Sequence, residues 1–484
     1  AHPLADGKQI PWEEGMQQFS AIIKAASGAI AYLGKPASGS EGDFVDEWLQ
    51  AAGGGQRFKF NLLTQKSQIE ANKIAFDHAN VPEYAFEKAG VVFNFSTDFL
   101  ENWGNPVENA RRFTDMHVYK NGRKNKFIHI SPQVSLTGAK ADRWIVINPG
   151  TEGLVALAIA SVIQKENGTY KFLKKYLQAY SPEKVAEATG VSAETLSELA
   201  IDAMEHGPLL ALGGGNVSAT DQSVETLVGV NILNAVSGAL NKTVLFSDQT
   251  TTESSTHQDL TQLISDLNGG KIKLLIVDDS NPVYALPPSM GFLQALKKTF
   301  VVSLASQKSE TTHTANLVLP ALTAYESWGD AFPRNGVRSI QQPVMSTVNM
   351  FDARAREDIL LSVAQNVNKK AFSENSSYLD YLQNIWQKIQ RKVGDRRKFD
   401  SFWISVLENG GIFEKPKFIR ASLNRRVASV KLNDPGMASS DGLTLFPTTS
   451  LLLGDGSGAN KPWLQEVPDP MSQIVWDSWM EINP

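Results

Sequence analysis

Between Lys273 and Asp330 the chain passes through three short apolar stretches, each cut off by a polar segment that cannot continue inside a sheet. Leu274–Val277 ends in Asp278-Asp279-Ser280-Asn281-Pro282, where Pro282 has no N–H to donate and restricts Asn281 to extended backbone. Phe300–Leu304 ends in the polar segment Ser306–Thr314, and Leu317–Leu319 ends at Pro320. A helical segment near Phe292–Leu296 separates the first two runs. Buried strands that deliver polar loops are the pattern of an open α/β sheet, whose loops gather at the carboxyl ends of the strands, where ligands bind.

The same pattern recurs along the chain. Trp12–Ala26 carries Trp12, Met16, Phe19, Ile22 and Ile23 at helical spacing, with Glu13 and Glu14 in the first turn where the helix dipole favours them. One series of strands is expected at Gly28–Gly34, Phe58–Leu63, Gly90–Phe95, Phe127–Ile130 and Trp144–Ile147. A second is expected at Leu209–Leu212, Thr243–Phe246, Lys273–Val277, Phe300–Leu304 and Leu317–Leu319. Thr151 is expected to cap an Ala/Leu/Ile helix that is apolar on nearly every face and therefore buried. Asp358–Val367 and Tyr378–Val393 read as helices, and Lys417–Leu432 as a strand or two. The expected fold is α/β: two doubly wound Rossmann-like α/β/α domains, the first built from residues 1–150 and completed by 345–484, the second, 151–344, inserted between them.

Composition removes several classes of function. The chain of 484 residues contains no cysteine, so it carries no disulfide and no cysteine-ligated zinc or iron–sulfur cluster. A formal net charge of -5 does not suit a nucleic-acid surface. The longest apolar window, Leu154–Ile163, is far shorter than the ~20 residues needed to cross a bilayer, and AHPLADGKQI lacks the basic and apolar regions of a signal peptide, so any such peptide is expected to have been removed or to lie outside this stretch. None of the seven histidines sits in the i, i+4 pairing of zinc hydrolases, and no G-x-S-x-G elbow is present.

Two groups of residues remain as candidates. Gly213-Gly214-Gly215-Asn216 follows one strand and precedes a helix, a placement that allows its amides to approach a phosphate or simply makes a tight turn, and the loop is neither G-x-G-x-x-G nor a P-loop. Glu310, Glu326 and Asp330 lie in loops after consecutive strands, either as paired acid and base or as loop anchors. The basic run Lys392–Lys398 reads as a solvated face. Trp463, Trp476, Trp479 and Met480 crowd the tail, where burial against a partner is favourable.

The succession D-x-N-P at Asp279–Pro282, then VVS at Val301–Ser303, then ETTHTANLVLP and finally E-x-W-G-D at Glu326–Asp330 resembles the molybdopterin oxidoreductase family of complex iron–sulfur molybdoenzymes, over about Pro11 to Pro484. NPVYALP, LTAYESWGD, GVRSIQQPVM and DFLENWGNPVENAR are most similar to the molybdopterin-like part of the large iron–sulfur subunit of bacterial alternative complex III, a quinol oxidoreductase. The resemblance implies that Ser96 and Asp98 replace the G-x-N strand end that approaches the cofactor. It also implies that the loop Gly213–Asn216 lies beside the pterin dinucleotide, and that Asp278, Asn281, Glu310 and Asp330 belong to the remaining crevice loops. Gln133 stands where many active members carry an arginine, and Glu152 where they often carry an aspartate.

These residues are therefore expected to be a vestigial pterin pocket, with no catalytic or metal-ligating residue in this chain. Iron–sulfur clusters and haem are expected on partners: a cysteine-bearing iron–sulfur domain or subunit, a multihaem cytochrome c subunit and integral membrane quinol-oxidising subunits, on the periplasmic side of the bacterial inner membrane. WLQEVPDPMSQIVWDSWMEINP resembles the segment before the family's last β-barrel domain, so that barrel is expected to be absent and the chain a fragment. The alternative is a fragment of an active molybdopterin-dependent oxidoreductase binding two pterin guanine dinucleotides.

Overall fold

In chain order the principal strands are β1 (Ile30–Gly34), β2 (Gln56–Lys59), β3 (Val91–Phe95), β4 (Lys126–Ile130), β5 (Arg143–Ile145), β6 (Leu209–Gly213), β7 (Leu274–Asp278), β8 (Phe300–Ala305) and β9 (Leu317–Pro320). The helices that matter below are α1 (Trp12–Ala26), α2 (Ser40–Ala51), α3 (Glu152–Asn167), α4 (Ser223–Val236), α5 (His257–Asn268), α6 (Arg356–Val367), α7 (Tyr378–Val393) and α8 (Phe399–Asn409). The computed structural model describes residues 2–120, 122, 124–249, 254–348, 351–436 and 444–482. The chain divides into two compact units, one made of residues 1–62, 252–417 and 455–460, the other of 63–251, 418–454 and 461–484.

The first unit is built on a sheet whose parallel part runs β9-β8-β7-β1-β2, with the short antiparallel pair Leu4–Ala5 and Lys8–Gln9 added beyond β9. Ile30, Tyr32, Leu274, Ile276, Val302 and Leu304 point to one face, where they pack with side chains of α1, α2, α6, α7 and α8. Ala31, Leu33, Leu275, Val277 and Val301 point to the other, against α5 and the short helix Phe292–Leu296. The period of two thus gives β1, β7 and β8 buried residues on both faces, which is why these strands read as unbroken apolar runs. In the second unit the sheet is β5-β4-β3-β6, all parallel. Helix α3 is buried from Glu152 to Ala160, as its all-round apolar sequence requires.

The expected division near residues 150 and 345 does not hold. β1 pairs with β7, Ile30 opposite Leu274, and β2 pairs with β1, Gln56 opposite Ala31, so the first two and the last three strands of the predicted list share one sheet. β3, β4 and β5 join β6 in the other. Parallel strands are linked by long crossovers, so the next strand in the chain is free to enter a different sheet, as β3 does after β2.

Three local expectations also change. The apolar segment Phe58–Leu63 pairs only through Gln56–Lys59, on the sheet edge, and leaves Leu62 and Leu63 at the surface. Val244–Leu245 pairs with Glu83–Tyr84 outside the main sheet. In place of strands, residues 418–433 form a strap clamped by side chains: Asn241 exchanges two hydrogen bonds with the backbone of Ala421, and the Tyr180 hydroxyl both donates to Leu432 O and accepts from Leu432 N.

The free edge of β6 is closed by side chains. Asn234 of α4 accepts from Ala211 N at 2.9 Å and donates to Ala211 O at 2.8 Å, and Thr243 Oγ1 donates to Leu209 O at 2.6 Å. Asn234 is buried, so replacing it strands a donor and an acceptor away from water. Asn234→Leu is expected to lower stability by about 1–3 kcal/mol for each orphaned group, read as a lower urea midpoint at unchanged slope.

Candidate functional site

Each sheet has one place where neighbouring parallel strands send their chains off in opposite directions, and such a switch point is where open α/β sheets bind ligands. In the second unit it lies between β3 and β6. In the first it lies between β1 and β7. The sequence candidates distribute over both: Ser96, Asp98 and Gly213–Asn216 at the former, Asp278, Asn281 and Glu310 beside the latter.

At the β3/β6 end, Ser96 is buried with φ 49°, a conformation a non-glycine residue holds only at a cost. Its hydroxyl donates to Glu152 Oε1 at 2.8 Å and lies 3.2 Å from Ser131 Oγ. Glu152, the first residue of α3, is fully buried, and its second carboxylate oxygen has no hydrogen-bond partner. Burial raises its pKa. The expected cap at Thr151 takes a different form, since its hydroxyl donates to Asn148 O rather than accepting from the helix. Asp98 accepts from Asn216 Nδ2 at 2.8 Å, and burial, reinforced by Glu101, pushes its carboxyl up to about 6. Asn94 donates to Thr97 O and to His129 Nδ1, at 2.8 and 2.9 Å. That bond leaves the histidine proton on Nε2, which faces Gln133 O at 3.3 Å. Burial holds the imidazole down near pKa 4, so it stays neutral.

The glycine loop does not face open space. Trp103 is buried over it, and a Cβ on Gly214 would sit 2.5 Å from the indole Nε1, at a φ of 142°. The side-chain amide of Asn216, the last residue of the loop, donates to Asp98. The partners of these groups are hydroxyls, amides, carboxyls and one neutral imidazole.

At the β1/β7 end the charges are dense. Tyr32 donates to Asp278 Oδ2 at 2.6 Å, and Gly34 leaves room for that pair, since a Cβ there would lie 2.9 Å from the Tyr32 ring. Arg356 reaches Glu357 at 2.7 Å, Glu41 at 3.1 Å and Asp278 at 3.5 Å. Asp279, with φ 38°, repeats the left-handed residue seen just after β3 and pairs with Lys35 at 3.1 Å. Tyr32, Glu41, Arg356 and Glu357 were not singled out from the sequence; the crowding of Arg356 and Glu357 at a helix start was the available signal.

The other candidates anchor loops. Asn281 donates to Glu310 at 2.6 Å and accepts from the Thr311 hydroxyl at 2.8 Å, and the bond from Asn281 holds the Glu310 carboxyl below its usual range. Asp330 accepts from Ser40 N, Ser40 Oγ and Trp386 Nε1 at 2.7, 2.6 and 3.1 Å. Glu326 caps its own turn through Thr323. Glu310, Glu326 and Asp330 therefore each have a separate structural partner and do not act as a pair. Among the described residues, no group of three potential ligands is arranged to hold a metal ion.

Two parallel sheets with ligand-type switch points define an α/β protein of dinucleotide-binding architecture. Residues 23–366 match the family model for molybdopterin oxidoreductase, and the chain belongs to that family. It is similar to the menaquinone reductase molybdopterin-binding-like subunit of Nitratidesulfovibrio vulgaris, 28% identical over 382 residues, covering 73% of this chain and 54% of that protein. It is also similar to the arsenate respiratory reductase molybdopterin-containing subunit of a Shewanella species, 22% identical over 420 residues, covering 67% and 47%. The fold is that of acetylene hydratase from Pelobacter acetylenicus, with TM-score 0.62 at 15% identity over 77% of this chain and 62% of that one. The chain thus spans about half the length of these two curated relatives.

A pterin dinucleotide carries several phosphate charges and needs cationic or amide donors. Within each unit the donor sets do not fit one: Asp98, Glu152 and a capped glycine loop stand at one strand end, three carboxyl groups around one guanidinium at the other. Gly214→Ala is expected to cost about 2 kcal/mol through collision with Trp103, seen as a lower melting temperature, with Trp103→Ala in the same chain relieving part of the loss.

Proposed function

We propose that this chain is a cofactor-free scaffold of molybdopterin oxidoreductase type within the iron–sulfur subunit of a quinol:electron-acceptor oxidoreductase resembling alternative complex III, in a respiratory or photosynthetic electron-transport chain. The observation that carries the reading is the occupation of both switch points by the protein's own side chains, whose carboxyl groups outnumber the cations at each. Two further facts support it. With no cysteine, the chain has no thiolate for an iron–sulfur cluster or for molybdenum, and a relative is described as a molybdopterin-binding-like subunit of a menaquinone reductase.

In this reading the electrons pass through partners: a cysteine-bearing iron–sulfur domain or subunit, a multihaem cytochrome c and membrane subunits that oxidise quinol, on the periplasmic side of the inner membrane. No helix among the described residues is long and apolar enough to cross a membrane. Exposed Trp463, Trp476 and Met480 supply apolar surface for such partners.

The second reading, a fragment of a working molybdoenzyme with two pterin guanine dinucleotides, is favoured by the similarity to a molybdopterin-containing reductase subunit. Metal and pterin analysis of the intact complex separates the two. Neither molybdenum nor tungsten is expected at stoichiometric level, and one metal per chain overturns the scaffold reading.

Substitutions in the crevice loops are expected to act on assembly. Asn281→Ala removes the bonds that tie Glu310 and Thr311 to the loop after β7 and is expected to cost about 1–3 kcal/mol. The yield of assembled complex should fall while turnover per assembled complex is retained. Normal assembly with complete loss of quinol oxidation contradicts the scaffold role.

A further inference from the structure

Three carboxylates converge on one guanidinium at the β1/β7 end: Glu41 from α2, Asp278 from β7 and Glu357 from α6, all around Arg356. Fully ionised, this group would hold two uncompensated negative charges in a site largely withdrawn from water. Other groups do little to offset them. Tyr32 of β1 donates a neutral hydroxyl to Asp278. Arg57 of β2, which also acts on Glu41, is paired with Asp46 at 2.8 Å, and Lys35 is paired with Asp279. Asp278 Oδ1 is buried and faces Arg356 Nη1 at 3.5 Å without forming a hydrogen bond, so one oxygen aimed into the cluster is incompletely satisfied.

We propose that this cluster is a binding site for one exchangeable proton, carried by the carboxyl of Glu41. A metal ion is not the better occupant. Arg356 already holds the centre, and the adjoining cavity, lined by Tyr32, Gly34, Lys35, Glu41 and Arg57 among others, measures about 10 Å³, the lower limit for a single water.

Which carboxyl can exchange a proton with solvent follows from access. Side-chain exposure is 27% for Glu41 but 3% for Asp278 and 6% for Glu357, so only Glu41 exchanges readily with solvent. Burial raises the Glu41 carboxyl to about 7, with Asp278 and Glu357 adding to the effect and Arg356 and Arg57 opposing it. Glu357 is also raised by burial, so the experiment must tell the two apart.

The sign of the linkage is set by that direction. A carboxyl that keeps its proton to higher pH in the folded state adds stability that is complete below its ordinary value of 4.5 and is lost as pH rises through about 7. Over that window the unfolding constant should rise by up to about tenfold per pH unit on account of this group.

The test is infrared difference spectroscopy of the purified full-length protein, titrated between about pH 5 and about pH 9 across the expected midpoint. The wild type should show a protonated-carboxyl C=O band that disappears with a midpoint near 7. Glu41→Gln should abolish it and flatten the pH dependence of thermal unfolding. Asp278→Asn, which removes a neighbouring negative charge, should move the midpoint down, whereas Arg356→Gln should move it up. Should Glu41→Gln not fold, these two opposite shifts carry the test. The absence of a titrating band in the wild type, its persistence in Glu41→Gln, or shifts of the same sign in the other two variants overturn the proposal.

Discussion

The first unit depends on the parallel ladder between β1 and β7, which aligns Ile30–Leu33 with Leu274–Val277 across an excursion of more than half the chain. Main-chain hydrogen bonds of a parallel pair have no turn to set their register, so the register rests on burial of both faces. Ile30 and Leu274 on one side, Ala31 and Leu275 on the other, supply that burial. A slip of one residue would put Tyr32 on the wrong face and part it from Asp278. The charge cluster, the loop after β7 and the seating of α1 and α2 all follow from this alignment.

The two switch points are electrostatically unlike, although each is entered by a left-handed residue directly after a strand, Ser96 in one case and Asp279 in the other. Around Ser96 the polar groups form short neutral chains that end on a buried acid. Around Asp279 the groups are ionic and centred on Arg356. Both places combine backbone geometry suited to ligand approach with side chains paired to partners within the same unit. Strain of this kind persists only where the surroundings hold it, and here the holding groups are Glu152 at one end and Lys35 with Ser306 at the other.

Much of the element list was legible because strands buried on both faces are apolar without interruption and end abruptly at polar or proline residues; Leu274–Asp278 and Phe300–Ala305 show this most clearly. Sheet membership was not legible. Nothing in Gly28–Gly34 records that its neighbour is β7, since a parallel strand presents the same apolar faces to any partner. The candidate residues were found as loop positions, which the sequence marks by composition. Their roles were not, because a role depends on partners far along the chain: Asn216 meets Asp98, Asp330 meets Ser40 and Trp386, and Asp278 meets Tyr32 and Arg356. The strap over residues 418–433 was misread for a related reason. Its alternating apolar residues suggest a strand, but beyond an isolated bridge from Ile419 to Phe246 and a bond from Asn424 N to Ala75 O it is held by side-chain amides and a tyrosine hydroxyl.

Asn234 and Thr243 do for β6 what a further strand would do. An unsealed edge offers a row of donors and acceptors to any extended peptide, which is how many proteins recruit partners and how many aggregate. At Leu209 and Ala211 that offer has been withdrawn, since the outward groups are already bonded to side chains of their own unit. A protein that approaches the second unit from this direction cannot extend its sheet and must recognise it through the shape and chemistry of its side chains.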